Sequence, residues 1–382
     1  MAAHSRPWYT YIIYKGVSTI KAKVKKVDLP ADKRIIAISD IHGNLKLFQM
    51  LLEKINYSSE DILVLVGDLI EKGTMSLKTL RYIMELSKKN IVHIVSGNCD
   101  SIWEDIKYQI DDVGLLRYMT LRKNTILNEM CAEISITVNS DSDIGFIKKE
   151  LLKSFKPELD WLEELPHIVE TQNFIFAHGG LTSENLDEQD ARKVMKNDAF
   201  MEQGLAFSKY VVVGHWPIAN YCKDKGCYNP LINREQRIIS IDGGNAIKSE
   251  GQLNALIIDN VDTENLSFVS IDELPKAKVI ESQSPNSGTI YISWADNSVE
   301  VLEEKDEFSL CRHISSNHLL WIKNTMLFTG LDGVHCHDCT DYLLPVSVGD
   351  IVSIVERSKE KTLVKMDGTI GWIPNEKLYE DV

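Results

Sequence analysis

The stretch Arg34-Ile-Ile-Ala-Ile-Ser-Asp40-Ile-His42-Gly-Asn44 joins an apolar run to a group of polar residues. A short apolar run that ends at Gly and Asn predicts a buried strand followed by a turn. Open α/β sheets place their functional sites at the carboxyl ends of their strands. Asp40 and His42 are therefore predicted to lie at such an edge.

Two further segments repeat this pattern. Ile62–Val66 leads into Gly67-Asp68, and Ile91–Val95 leads into Gly97-Asn98. The segments between these strands carry apolar residues at helical spacing. The intervening helices are predicted at Leu45–Ile55 and Ser76–Ser87. Alternating strands and helices predict consecutive β-α units whose strand ends meet at one rim.

Two histidines follow apolar runs later in the chain. Phe174–Ala177 precedes His178, and Val211–Val213 precedes Gly214-His215. Carboxylate, imidazole and amide oxygen together form a ligand set suited to Mn, Fe or Zn. A single Asp-x-His would carry no weight, because Asp, Asn and Gly are ordinary residues of turns. Five such edges in order indicate a metal site.

The ordered motifs Asp-x-His, Gly-Asp, Gly-Asn, His-Gly-Gly and Gly-His resemble those of the calcineurin-like metallophosphoesterases. The resemblance implies an α+β fold, a four-layer αββα sandwich over residues 1–270. It also implies two divalent ions that hold a bridging hydroxide for attack on phosphorus, with Mn as the first choice of metal and Fe or Zn as alternatives. The implied metal ligands are Asp40, His42, Asp68, Asn98, His178 and His215, with Asp68 as the bridge.

Three features resemble the branch of PPP-type phosphatases and symmetrical diadenosine tetraphosphatases. They are His178-Gly-Gly-Leu181, Gly214-His-Trp-Pro217 and Ile241-Asp-Gly-Gly244. The resemblance implies hydrolysis of a phosphoester, with a protein serine/threonine phosphatase as the first reading. A symmetrical dinucleoside tetraphosphate hydrolase and a phosphodiesterase are the alternative enzymes. A catalytically weakened binding or scaffold protein is an alternative of another class.

The chain departs from the motifs of that branch at three places. Lys72 stands where the family has an arginine that grips phosphate by two parallel hydrogen bonds. Cys99 replaces the histidine that protonates the leaving group, which implies a leaving group that needs less protonation. The second phosphate-gripping arginine aligns only with a segment that holds Arg192 and Lys196. The implied roles are catalysis for Asp68, Glu71, Cys99 and Asp100, and phosphate binding for Lys72, Asn98, Arg192 and Lys196.

Composition limits the classes of partner. The chain has 382 residues and a net charge of −14 at pH 7, which opposes a broad nucleic-acid or anionic-membrane surface. Seven scattered cysteines do not form a disulfide framework and indicate a reducing compartment, so a cytoplasmic location is expected. No run approaches the ~18 apolar residues that a membrane span needs. The expected partner is a phosphoprotein or a small phosphoester substrate.

The chain after residue 270 has another character. Residues 271–319 are predicted as a polar, turn-rich linker followed by a hairpin over Gly288–Leu302. Residues 320–382 resemble a bacterial SH3-like domain, because short strands follow Gly349-Asp350 and the segment closes on Gly371-Trp-Ile-Pro374. The resemblance implies all-β modules that end in an SH3-like barrel with a peptide or protein ligand. No internal repeat is evident.

Two other segments complete the predicted catalytic domain. Trp8–Tyr14 and the lysine-rich Val17–Val27 are predicted strands, the second at a sheet edge because lysines commonly protect such edges. Residues 100–173 are predicted as an insertion that is mostly helical from Ile147 to Leu165. This insertion shapes the substrate cleft or forms a structural cap.

Overall fold

The first sheet is built from the apolar runs that the sequence predicts as strands. In a computed structural model that describes residues 20–108 and 111–379, β2 (Ile35–Ile38), β3 (Ile62–Val66) and β4 (Ile91–Val95) are parallel. β10 (Leu253–Ile258) and β11 (Leu266–Ile271) add antiparallel strands, which gives the order β11-β10-β2-β3-β4. β2 and β3 are buried throughout because layers cover both faces of the sheet.

The second sheet has six strands in the order β1-β5-β6-β7-β9-β8. Its edge strand β1 confirms the predicted lysine-rich edge for three residues only, and Trp8–Tyr14 lies outside the described residues. The strands are β1 (Val24–Lys26), β5 (Ile168–Glu170), β6 (Phe174–Ala177), β7 (Tyr210–Val213), β8 (Leu231–Asn233) and β9 (Ile238–Ser240).

The helices lie on the outer faces of the two sheets. The predicted crossover helices α1 and α2 are confirmed, and the Asn44 side chain caps α1 by accepting a hydrogen bond of 3.2 Å from the Leu47 amide. The insertion begins its helices near residue 103, earlier than predicted. The helices are α1 (Leu45–Lys54), α2 (Ser76–Lys89), α3 (Trp103–Lys107), α4 (Asp112–Leu121), α5 (Ile126–Glu133), α6 (Ile144–Ser154), α7 (Lys156–Glu164) and α8 (Ala191–Met195).

Alternation along the strands produces four layers. Ile36 and Ile38 of β2 pack with the helices, whereas Ile35 and Ala37 pack with residues of the second sheet. On the far side of the second sheet, Ile175 packs in a cluster that includes residues of α8. Side chains of a strand point alternately to opposite faces, so each sheet buries one face against the other sheet and one against helices. The αββα arrangement is therefore present in the described residues up to 270, which are called the catalytic half below. Within the described residues, no helix is long and apolar enough to cross a membrane.

The C-terminal part forms two five-stranded sheets, of order β16-β15-β14-β18-β17 and β22-β21-β20-β12-β23, and a two-stranded pair β13-β19. No closed barrel is found among the described residues, so the predicted SH3-like barrel is not confirmed, and the domain boundaries at 270 and 320 stay predictions. The strands are β12 (Lys276–Val279), β13 (Tyr291–Ile292), β14 (Ser298–Glu304), β15 (Phe308–His313), β16 (Leu319–Lys323), β17 (Leu327–Thr329), β18 (Val334–Cys336), β19 (Cys339–Thr340), β20 (Ile351–Arg357), β21 (Lys361–Met366), β22 (Thr369–Pro374) and β23 (Leu378–Tyr379).

The two C-terminal sheets are a structural repeat, which the sequence reading missed. Trp321-Ile-Lys-Asn324 and Trp372-Ile-Pro-Asn375 end the equivalent strands β16 and β22, and a 3-10 turn follows each. The side-chain amide of Asn324 donates to the Lys305 carbonyl (2.9 Å), and that of Asn375 donates to the Lys359 carbonyl (3.0 Å). The same side-chain contact thus closes the same strand turn in both sheets.

The predicted hairpin over Gly288–Leu302 is wrong. β13 pairs with β19, and β14 pairs with β15 and β18, so β13 and β14 do not pair with each other. The fifth strand of each five-stranded sheet also comes from a different place in the chain. β12, which comes before both sheets in the chain, pairs in the second sheet, and β18, which comes after β14–β17, pairs in the first. Strand pairing of this kind is non-local, and local turn signals do not specify it.

Candidate metal centre

Six predicted ligands follow strands and converge at the carboxyl ends of the two sheets. They are Asp40 and His42 after β2, Asp68 after β3, Asn98 after β4, His178 after β6 and His215 after β7. His42 Nε2 lies 3.6 Å from Asp40 Oδ1 and 3.7 Å from Asp68 Oδ2, and His178 Nε2 lies 3.3 Å from Asp68 Oδ1. The His178 and His215 rings are 5.3 Å apart between centroids. The sequence-predicted ligand set is therefore one cluster in space.

The backbone at this cluster is held in conformations that side chains rarely adopt. Asp40, His42, Asp68 and His215 all have φ between 48° and 65°, and such strain persists only where the surroundings impose it. Close approach adds a second constraint. A Cβ on Gly97 would lie 2.2 Å from the Asp68 amide nitrogen, so only glycine lets these two loops meet.

Four predicted ligand atoms are buried without a hydrogen-bond partner among the described residues: Asp40 Oδ1, His42 Nε2, Asn98 Oδ1 and His178 Nε2. Leaving a buried polar atom unpaired is costly, so such atoms indicate an absent partner. Carboxylate, amide oxygen and neutral imidazole suit Mn, Fe or Zn, and one divalent cation satisfies several of these atoms at once. The residues of the centre therefore fit divalent metal ions.

Two groups of side chains have ligand atoms within 4.8 Å of one another, and they share Asp68. The first group contains His42, Asp68 and Cys99, and the second contains Asp40, Asp68 and His178. A carboxylate common to two groups is the arrangement that a bridging ligand requires. Cys99 was predicted as a catalytic residue, and its place in the first group was not foreseen.

Asp242 is a further member of the centre, which the sequence analysis named only within the branch feature Ile241-Asp-Gly-Gly244 and not as a site residue. It follows β9, is fully buried, and its Oδ2 has no hydrogen-bond partner, while Oδ1 accepts a bond of 2.7 Å from the Gly244 amide. Burial raises the pKa of Asp242 to about 6. The available signal was the same one that identified the other ligands, an apolar run that ends in Asp-Gly.

The charges of the centre are unevenly shared. Burial raises the pKa of Asp40, and the neighbouring Asp242 raises it further. Burial also acts to raise the pKa of Asp68, but His178 and His42 hold it well below its usual range. Burial acts to lower the pKa of His178, yet Asp68 and Asp40 raise it to about 10. The buried carboxylates thus interact with the histidines as their nearby positive charges. A cluster of buried carboxylates that needs positive charge is typical of a metal site.

Two predicted catalytic carboxylates hold the surrounding loops. Asp100 accepts hydrogen bonds from the amides of Leu69 (2.9 Å) and Gly97 (2.8 Å), so both of its oxygens are occupied by backbone. Glu71 accepts from the Ile126 amide (2.8 Å) and from the Tyr118 hydroxyl. Glu71 therefore links the metal centre to α4 and α5 of the insertion.

Lys72 and Cys99 lie beside Asp68. The Cys99 amide donates a hydrogen bond of 2.8 Å to Asp68 Oδ1. Burial raises the pKa of the Cys99 thiol, and the charge of Asp68 raises it further. Desolvation acts to lower the pKa of Lys72, but Cys99 and the carboxylates, Asp68 first among them, raise it above its usual value. The Lys72 ammonium group therefore stays charged beside the cluster.

The segment after α8 supplies a partner for His215 that the sequence reading did not identify. Asp198 Oδ1 lies 2.8 Å from His215 Nε2. This contact lowers the pKa of Asp198 against the opposing effect of burial, and the charge of Lys196 lowers it further. Burial raises the pKa of Glu104 in α3, and the charge of Arg192 acts to lower it. The charge of Lys196 thus acts on the partner of His215, whereas that of Arg192 acts on a residue of the insertion. A carboxylate on one nitrogen of a histidine fixes the orientation of the ring and leaves the other nitrogen, here Nδ1, for a metal ion.

The fold and this ligand set define a family. The sequence profile of the calcineurin-like phosphoesterases matches residues 33–239, and the chain belongs to this family of dinuclear metal-dependent phosphoesterases. Membership is consistent with a metal-dependent phosphoester hydrolase.

The matches to curated relatives cover only part of each protein. The chain is 29% identical over 169 residues to the symmetrical bis(5'-nucleosyl)-tetraphosphatase of Xanthomonas euvesicatoria pv. vesicatoria, a match that covers 41% of this chain and 43% of that protein. It is 30% identical over 146 residues to the protein of the same name from Vibrio campbellii, covering 38% and 44%. The chain thus spans less than half the length of these relatives. A protein serine/threonine phosphatase structure from Saccharomyces cerevisiae aligns with a TM-score of 0.43 and 11% identity over 66% of this chain and 85% of that one.

Replacing Asp198 tests its contact with His215. Asp198→Ala should weaken the affinity for Mn²⁺ by about 10- to 100-fold, because the His215 ring loses the carboxylate that orients it. Isothermal titration of the metal-free protein with Mn²⁺ measures this affinity. Asp187→Ala is the matched control, since Asp187 is exposed and pairs only at 3.6 Å with Lys21. Equal affinities in the two variants would contradict the role of Asp198.

Proposed function

We propose that the chain hydrolyses phosphoric esters or anhydrides at the metal centre. The observation that carries this proposal is the set of buried, unpartnered ligand atoms on Asp40, His42, Asn98 and His178. Asp40 and His42 would hold one ion, Asn98, His178 and His215 would hold the other, and Asp68 would contact both.

Divalent ions bound there would supply Lewis-acid chemistry, by polarising a phosphoryl oxygen and lowering the pKa of a water molecule. The chain itself fixes the ligands: Asp198 orients His215, and Asp100 ties the Asp68 loop to the Asn98 loop. Orientation of this kind is a large part of catalysis, because the reacting groups need no rearrangement.

Lys72 is the proposed binding residue for the phosphoryl group undergoing transfer. Its ammonium group stays charged beside Asp68, and it offers a point charge where the family arginine offers a planar fork. Lys196, whose charge acts on Asp198, is the proposed binding residue for a second phosphate. Arg192, whose charge acts on Glu104 of the insertion, is the weaker candidate for this role.

The proposed substrate class is a dinucleoside polyphosphate. Position 99 is Cys, so the chain has no imidazole at the place from which the family protonates a leaving group. A nucleoside polyphosphate leaves as a stable anion, whereas the alkoxide of serine needs a proton in the transition state. The names of the curated relatives point to the same class. The protein serine/threonine phosphatase that the sequence first suggested is the rival.

Metal removal tests the proposal directly. Excess EDTA should abolish hydrolysis of diadenosine tetraphosphate and of p-nitrophenyl phosphate, and added Mn²⁺ should restore both, because the centre works only with its ions. Chromatography of the nucleotides and absorbance of p-nitrophenol measure the rates. Full activity in excess chelator would refute the metal centre. Faster hydrolysis of a phosphoserine peptide than of the dinucleotide would favour the rival.

A histidine at position 99 tests the leaving-group argument. Cys99→His should raise the rate on phosphoserine by about 100-fold and change the rate on p-nitrophenyl phosphate little, since only the alkoxide needs a general acid. Lys72→Arg is the matched control, because it should act on phosphoryl binding for both substrates alike. Steady-state kinetics on both substrates separates the effects. A uniform loss in Cys99→His would mean that the larger side chain overfills the site.

A further inference from the structure

The C-terminal part places an exposed tryptophan against Trp216, the residue that follows His215. Trp294 lies in the 3-10 turn between β13 and β14, and 53% of its surface is exposed. Its ring centre is 6.2 Å from that of Trp216, at an interplanar angle of 69°. Trp216 directly follows His215, a ligand of the metal centre. The two rings therefore form an edge-to-face pair one residue along the chain from His215.

A buried ion pair holds this tryptophan to the catalytic half. The Trp294 amide donates a hydrogen bond of 2.8 Å to Asp338 Oδ1. Asp338 Oδ2 accepts from Lys248 Nζ (2.6 Å) and from the Tyr291 hydroxyl (2.7 Å). The Lys248 and Asp338 side chains are only 10% and 7% exposed, so the pair is shielded from solvent. Removing one partner of a buried pair is strongly destabilising, so the pair keeps the turn in one position.

Lys248 connects the same pair to the loops of the metal centre. Lys248 Nζ also donates to Asn220 Oδ1 (3.2 Å), in the 3-10 turn that follows the His215-Trp216 segment. Its backbone amide bonds to the Gly244 carbonyl (2.9 Å), two residues after Asp242. The position of Trp294 is thus fixed relative to two loops that carry site residues.

We propose that Trp294, supported by Trp216, is a stacking platform for a nucleobase of the substrate. This inference rests on the proposed function, since it assigns the recognition of the base to the same site. An indole ring exposed to water loses free energy of burial, and a ring that is held in position with an accessible face can stack on any base. A nucleotide whose phosphates lie at the metal centre has its base one sugar away, at the margin that Trp294 occupies. Trp294 lies outside residues 33–239, which match the family, so the platform is a feature of the C-terminal part.

ADP and pyrophosphate separate binding of the base from binding of the phosphates. The full chain with Mn²⁺ is titrated calorimetrically with each ligand, for the wild type, Trp294→Ala and Trp294→Phe. Trp294→Ala should weaken ADP binding by about tenfold and leave pyrophosphate binding unchanged, because stacking on one aromatic ring accounts for about this much affinity. Trp294→Phe should retain most of the affinity for ADP, since a smaller ring still stacks.

Trp321→Ala is the matched control. Trp321 lies on β16 of the first C-terminal sheet, and the Lys305 ammonium group lies 4.2 Å from its ring centre. Replacing Trp321 should therefore leave ADP binding unchanged. Circular dichroism confirms folding of each variant. Equal losses for ADP and pyrophosphate, unchanged ADP affinity in Trp294→Ala, or failure of the wild type to bind ADP would each overturn the platform. Absence of hydrolysis with an intact preference for ADP would overturn the proposed function and leave the platform standing.

Discussion

Burial of the Asp68 carboxylate among loops from both sheets is the constraint on which the structure depends. Its Oδ1 accepts the Cys99 amide at 2.8 Å and lies 3.3 Å from His178 Nε2, while Oδ2 lies 3.7 Å from His42 Nε2. A buried carboxylate is tolerated only where charges and donors compensate it. The loops of the two sheets converge on this carboxylate. The positive φ values and the glycine at the contact of the Asp68 and Asn98 loops make this close approach possible. The catalytic half is therefore a frame that holds unpartnered ligand atoms in place for metal ions.

Much of this centre could be predicted from the sequence, because each predicted ligand follows an apolar run that predicts a strand. Asp242 was not predicted as a site residue because its segment served only as a feature of the branch, although it follows an apolar run in the same way. Asp198 could not be predicted, since its contact with His215 depends on where the segment after α8 folds back. The pairing of β12 with β20 and of β18 with β14 is equally non-local. Few positions are shared between the Trp321 and Trp372 segments, so the repeat became clear only from the matching strand order.

The C-terminal sheets are attached to the catalytic half by buried polar contacts. Tyr228 donates from its amide to the Gly368 carbonyl (2.9 Å) and, within the catalytic half, from its hydroxyl to Glu250 Oε1 (2.5 Å). Lys365, which is only 2% exposed, donates from its ammonium group to the Glu250 carbonyl (2.6 Å). Buried polar groups that are fully paired specify one arrangement, because every alternative leaves some of them unpaired. A fixed attachment of this kind is what lets an outlying turn contribute to the margin of the metal centre.

Anomalous scattering from crystals grown with Mn²⁺, measured near the manganese absorption edge, tests the two-ion centre most directly. We expect two peaks about 3.5–4 Å apart, both at coordination distance from the Asp68 carboxylate. One peak would bond to Asp40 and His42, and the other to Asn98, His178 and His215. A single peak, or peaks that do not touch Asp68, would contradict the two-ion centre on which the proposed function stands.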